Sequence, residues 1–83
     1  MTPLMGQLYL NKPLFKETLW SYELELYMTP IQSQDGKKKY AVALYDMSDE
    51  LWLDGVQVYE DKMEALDRFN ELIKYPPRKR GKG

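Results

Sequence analysis

The sequence contains no histidine and no cysteine among its 83 residues. These absences exclude disulfides, thiol nucleophiles and zinc or iron–sulfur ligation by cysteine, and they remove the commonest general base. Three serines and three threonines remain as hydroxyl nucleophiles, and no Ser-x-x-Lys spacing occurs. None of the five glycines belongs to a phosphate-binding motif. We therefore expect a protein that is not an enzyme and has no cofactor and no metal.

Long apolar runs are also missing, so the sequence predicts no transmembrane span and no membrane partner. The first five residues lack the basic and apolar regions of a signal peptide. Because a chain without cysteine gains nothing from an oxidising compartment, we expect a cytoplasmic protein.

The length fits a single small domain with one modest core. Apolar residues make up 43% of the chain and aromatic residues 13%, which is typical of a folded domain rather than a disordered segment. We assign residues 1–75 to the domain and residues 76–83 to a disordered basic tail.

The first half of the chain reads mainly as strands. Residues 7–16 are predicted to form two short strands around a turn at Asn11-Lys12. Residues 18–28 alternate between apolar and polar side chains from Trp20 to Met28, which predicts one strand that ends at Thr29-Pro30. The polar segment around Asp35-Gly36 is predicted to be a turn.

The middle of the chain continues the sheet. Residues 39–46 are apolar on both faces, which is typical of a central strand covered on both sides. The segments 51–53 and 56–59 flank Asp54-Gly55, so we expect them to pair as a hairpin.

A helix is predicted after Asp61, which is a good N-cap residue and is followed three positions later by Glu64. Its apolar stripe consists of Ala65, Leu66, Phe69, Leu72 and Ile73, and it should end before Pro76-Pro77. The predicted fold is therefore α+β: an antiparallel β-meander of about five or six short strands with one C-terminal α-helix packed on one face. On the other, partly open face, Tyr27, Tyr45 and Trp52 could form a binding surface.

Charge is unevenly distributed along the chain. Residues 40–73 carry nine acidic and two basic side chains, a net charge of −7, whereas residues 74–83 carry five basic side chains and no acidic one. Nine acids against two bases exceed what solubility requires, so we expect an acidic surface that binds the basic surface of a protein partner and thereby modulates or inhibits it. The candidate residues are Asp46, Asp49, Glu50, Asp54, Glu60, Glu64, Asp67 and Glu71.

Two alternatives remain open. The chain would instead be a nucleic-acid-binding accessory protein if its basic residues contact phosphates and its aromatic residues stack on bases. The candidate residues for that function are Lys37, Lys38, Lys39, Arg78, Lys79, Arg80 and Lys82. It would be a homodimer subunit if a free sheet edge pairs with a second copy. In size and composition the chain resembles many small accessory proteins of phages and mobile elements.

Overall fold

The computed structural model describes residues 4–53 and 55–77, so Asp54 and residues 78–83 of the predicted tail lie outside the described residues. The elements are helix α1 (Leu4–Leu10), strands β1 (Phe15–Leu19), β2 (Leu24–Gln32), β3 (Lys38–Asp46), β4 (Leu51–Trp52) and β5 (Gln57–Tyr59), and helix α2 (Lys62–Lys74). An antiparallel sheet followed by a C-terminal helix confirms the predicted α+β fold. The N-terminal helix α1 was not predicted.

The sheet has β3 at its centre. Strand β2 pairs with β1 on one side and with β3 on the other, and both β4 and β5 pair with the far edge of β3. The apolar pattern of residues 39–46 therefore predicted the central strand correctly.

The predicted hairpin between residues 51–53 and 56–59 is wrong, because β4 and β5 lie end to end along β3. Trp52 is opposite Tyr45 and Gln57 is opposite Val42. Four residues lie between Trp52 and Gln57, but only two lie between their partners on β3, Tyr45 and Val42. The connection between β4 and β5 is thus two residues longer than the part of β3 between their partners, and it contains Gly55, whose φ of 90° favours glycine.

The single strand predicted over residues 18–28 is also wrong. The chain instead reverses through a 3-10 turn at Trp20–Tyr22, and Glu23 takes a left-handed conformation with φ of 56°. Trp20 is 78% exposed, whereas Leu24, Leu26 and Met28 are fully buried. The apolar alternation therefore predicted the strand and its buried face correctly only after this turn.

Strand β2 passes through Pro30 rather than ending there. The carbonyl of Pro30 accepts a hydrogen bond of 2.8 Å from Asn11 Nδ2 at the edge of β2 that β1 leaves uncovered. The backbone nitrogen of this residue points to the same edge, so the missing N–H removes no hydrogen bond to β3.

The same edge explains why residues 7–10 form a helix and not a strand. Gln7 Oε1 accepts a 2.7 Å hydrogen bond from the backbone N–H of Gln32, and Gln7 Nε2 donates a 3.0 Å bond to the carbonyl of Gln32. The side chain of Gln7 thus pairs with the end of β2 as a neighbouring strand would. Asn11 does the same at Pro30, so α1 covers the free edge.

Each face of the sheet carries its own apolar cluster. Helix α2 begins as predicted, because the carboxylate of Asp61 accepts a hydrogen bond from the N–H of Met63. Its stripe packs on one face in a cluster of Leu26, Met28, Val42, Ala65, Phe69 and Leu72. On the other face, Leu8 of α1 packs with Ile31, Ala41 and Ala43. The face that was expected to be partly open is thus partly covered by α1.

Candidate functional site

The outer face of α2 carries a row of exposed carboxylates. The residues, called the α2 carboxylates below, are Glu60, Glu64, Asp67 and Glu71. Glu64, Asp67 and Glu71 recur every three or four positions, so they follow one side of the helix, opposite the stripe around Phe69, and Glu60 lies just before the helix begins. Three of them, together with Arg68 and Tyr59, line a shallow depression of the surface. The structure therefore brings together half of the acidic residues singled out in the sequence.

Two of the α2 carboxylates are close to cations. Arg68 Nη1 lies 3.0 Å from Glu71 Oε1, and Lys39 Nζ lies 3.8 Å from Glu60 Oε2. Both pairs are partly exposed and therefore weak. Glu64 and Asp67 form no ion pair with any residue of the described ranges, so no ion pair compensates the negative charge at the middle of the row.

Asp46 has a different role from the other acidic candidates. It is only 4% exposed, and its Oδ1 accepts hydrogen bonds from Ser48 Oγ at 2.8 Å and from the N–H groups of Ser48 and Asp49 at 2.9 and 3.2 Å. Its carboxylate thus closes the turn after β3. We leave Asp46 out of the surface proposed below.

Asp49 and Glu50 are exposed on that same turn, on a different element from the α2 carboxylates. Glu50 has a left-handed backbone with φ of 58°. Asp54 lies outside the described residues. Within the ranges 4–53 and 55–77, no group of three acidic side chains is arranged to hold a metal ion.

The basic candidates are divided by the structure. Lys37 and Lys38 are exposed at the loop between β2 and β3, where Lys38 Nζ lies 5.9 Å from the centroid of the Tyr40 ring. Lys39 forms an ion pair with Glu60, so it lies beside one of the α2 carboxylates. Asp35 in the same loop accepts hydrogen bonds from Ser33 and from the Lys37 N–H, which lower the pKa of its carboxyl. The basic residues 78–83 lie outside the described residues.

Aromatic rings form a second candidate site on the α1 side of the sheet. We call Tyr9, Tyr27, Tyr45 and Trp52 the aromatic face. The Trp52 ring lies 5.2 Å from the rings of Tyr27 and Tyr45 and 5.8 Å from the ring of Tyr9, all edge to face. The three rings noted in the sequence thus meet on one face. Tyr9 was missed, because it joins them only through the unpredicted helix α1.

Charged side chains border the aromatic face. Glu25 Oε1 accepts a 2.7 Å hydrogen bond from Tyr27 Oη, and Glu25 Oε2 lies 3.3 Å from Lys16 Nζ. Burial and the adjacent Glu25 carboxylate raise the pKa of Tyr27 to about 12. Partial burial and the charge of Glu50 raise the pKa of Tyr45. The aromatic face therefore lies in a negative field.

Comparison of the chain with models of protein families, with curated proteins and with solved structures gave no significant match. No helix in the described part of the chain has the length and hydropathy needed to cross a membrane.

Proposed function

We propose that the protein is a non-enzymatic binding protein that docks on a basic surface of another protein through the α2 carboxylates. By occupying that surface it would modulate or inhibit the partner. The proposed place of action is the cytoplasm, as expected from a sequence without cysteine.

The observation that carries this proposal is the exposed row of three carboxylates on one rigid helix, which Glu60 extends just before the helix begins. Helix α2 is fixed to the sheet by Ala65, Phe69 and Leu72, so the spacing of its outer charges is fixed as well. Glu64 and Asp67, at the middle of the row, form no ion pair with any of the described residues. Preorganised charges of one sign favour a partner of the opposite sign and accelerate its association.

The test is capture of the partner from a nuclease-treated extract of the source cell by tagged protein, with identification by mass spectrometry. The variant Glu64→Lys/Asp67→Lys reverses the middle of the row and should abolish capture of a partner that has a basic surface. Glu17→Lys is the control, because Glu17 is an exposed acid on β1, a different element from the row. It should leave capture unchanged.

Three outcomes would contradict the proposal. Capture that survives Glu64→Lys/Asp67→Lys would remove the α2 carboxylates from the interface. An equal loss with Glu17→Lys would indicate a response to net charge alone. Binding that disappears after nuclease treatment and on deletion of residues 78–83 would instead favour the nucleic-acid alternative.

A further inference from the structure

The aromatic face lies on the side of the sheet opposite α2, so it is independent of the α2 carboxylates. Helix α1 has only seven residues and covers the part of this side near Ile31 and Ala41. Tyr9 remains 65% exposed, and Tyr27, Tyr45 and Trp52 are half-buried. Aromatic side chains stabilise a protein most when they are fully buried. A cluster of four rings that stays partly open to solvent is therefore a candidate binding surface.

The molecule already places one of its own cations on this face. Lys16 Nζ lies 5.7 Å from the centroid of the Tyr27 ring and 3.3 Å from Glu25 Oε2. A cation over an aromatic ring with a carboxylate beside it combines cation–π attraction with an ion pair. Lys16 therefore shows which chemistry this half of the aromatic face accommodates.

The other half of the aromatic face has the same ingredients without a cation. Tyr45 is the cross-strand neighbour of both Glu25 and Trp52. Glu50 directly precedes β4, whose Leu51 lies opposite Asp46, the residue after Tyr45, and its charge contributes to raising the pKa of the Tyr45 phenol. Within the described ranges, no lysine or arginine lies over the Tyr45 ring, and Glu50 forms no ion pair.

We propose that Tyr45, Trp52 and Glu50 form a binding site for an arginine side chain of a protein partner. Arginine fits better than lysine, because its planar guanidinium can stack on a ring while its N–H groups pair with a carboxylate. A nucleic acid fits less well, because the carboxylates of Glu25 and Glu50 would repel its phosphates. The site does not depend on the α2 carboxylates, so it can exist whether or not the proposed function holds.

The test uses tryptophan fluorescence. The chain has two tryptophans, and Trp20→Phe leaves Trp52 as the only reporter at little cost, since Trp20 is 78% exposed. In this background we would titrate hexaarginine, hexalysine and a twelve-nucleotide oligothymidine. We expect a saturable change of Trp52 emission with hexaarginine at about two- to fivefold lower concentration than with hexalysine.

Variants assign the response to the site. Tyr45→Leu keeps an apolar side chain but removes the ring, and it should abolish the preference for hexaarginine. Glu50→Gln should weaken the binding of both peptides. Tyr75→Leu is the matched control, because Tyr75 is 68% exposed at the end of α2 and should not affect Trp52. Circular dichroism would establish that each variant is folded.

The variant Glu64→Lys/Asp67→Lys separates this proposal from the proposed function, since it should preserve the response of Trp52 to hexaarginine. Equal midpoints for the two peptides, no response of Trp52, or a preference that survives Tyr45→Leu would each overturn the arginine site. Tighter binding of oligothymidine than of hexaarginine would also overturn it and would indicate base stacking.

Discussion

On one face of the sheet, the thirteen-residue helix α2 buries an apolar stripe. On the other face, the seven-residue helix α1 packs Leu8 against the sheet, and the side-chain amide of Gln7 binds the end of β2. The α2 face has large side chains such as Met28 and Phe69 at its centre, and the α1 face has two alanines there. Apolar burial therefore supplies most of the stability on the α2 side. The α1 side relies on hydrogen bonds and leaves its aromatic rings partly available.

The largest expected effect is on the α2 face. Phe69→Ala removes the ring at the centre of the cluster, including its contact with Phe15 at 6.0 Å between ring centroids. We expect the free energy of unfolding to fall by about 3–5 kcal/mol, measured by urea denaturation. Asn70→Ala, at the next and exposed position of α2, is the control. Alanine has a higher helix propensity than asparagine, so the control should not destabilise α2, and a similar loss in both variants would mean that the effect of Phe69→Ala is not due to packing on the sheet.

On the α1 face, Gln7→Ala should have a smaller effect, because it removes the two hydrogen bonds to Gln32 and a longer one from Asn11, but little apolar area. The N–H and carbonyl of Gln32 would lose their partners at 2.7 and 3.0 Å. We expect a loss of about 1–3 kcal/mol in the same experiment. Gln34→Ala, in the exposed loop, should be neutral within about 0.5 kcal/mol. Unchanged stability of Gln7→Ala would show that α1 is not needed to cover this edge.

For the aromatic face, we expect the stability of the protein to depend on pH in the alkaline range. The pKa of Tyr27 is raised from 10.0 to about 12 in the folded protein, first by burial and then by Glu25. Because folding favours the neutral phenol, its stabilising contribution is complete below pH 10 and is lost as the pH rises towards 12. Absorbance titration should show that Tyr27→Phe removes a late-titrating tyrosine. Glu25→Gln should lower the pKa of Tyr27 without restoring it fully, and no change would remove Glu25 as a cause.

The smallest expected effect is that of Glu64→Lys/Asp67→Lys on stability. Both side chains are exposed and have no ion-pair partner among the described residues, so the free energy of unfolding should fall by no more than about 1 kcal/mol, mainly because Glu64 lies in the first turn of α2. Urea denaturation would check this. A larger loss would mean that the loss of partner binding in this variant reflects unfolding and not the interface.

The two faces also differ in how well the sequence predicts them. The sequence predicts the apolar stripe of α2, its N-cap at Asp61 and the central strand β3. Each of these depends on a pattern of neighbouring residues, so the local sequence contains the signal. Helix α1 was not predicted, because seven residues are too few to form a stable helix without tertiary contacts. Those contacts, from Gln7 to Gln32 above all, span 25 positions and leave no local signal.

The remaining errors have the same origin. Pro30 ends a strand only if its nitrogen faces a partner strand, and here that nitrogen faces the edge covered by Asn11. The pair Asp54-Gly55 signals a local hairpin, yet the strands on either side of it pair with β3 and not with each other. For the candidate sites, periodicity placed the α2 carboxylates and the rings of Tyr27 and Tyr45. It could not show that Asp46 is buried in its own turn.

The cover that α1 provides over the edge of β2 has a consequence for synthesis on the ribosome. Chains emerge from their N-terminus, so the amides of Gln7 and Asn11 leave the ribosome before the strand that they cover. When the end of β2 appears at Gln32, its protecting segment is already present on the same nascent chain. An exposed strand edge is a template for pairing between chains. Because Gln7 and Asn11 are synthesised first, they can bind the edge of β2 in competition with a neighbouring nascent chain as soon as that edge appears.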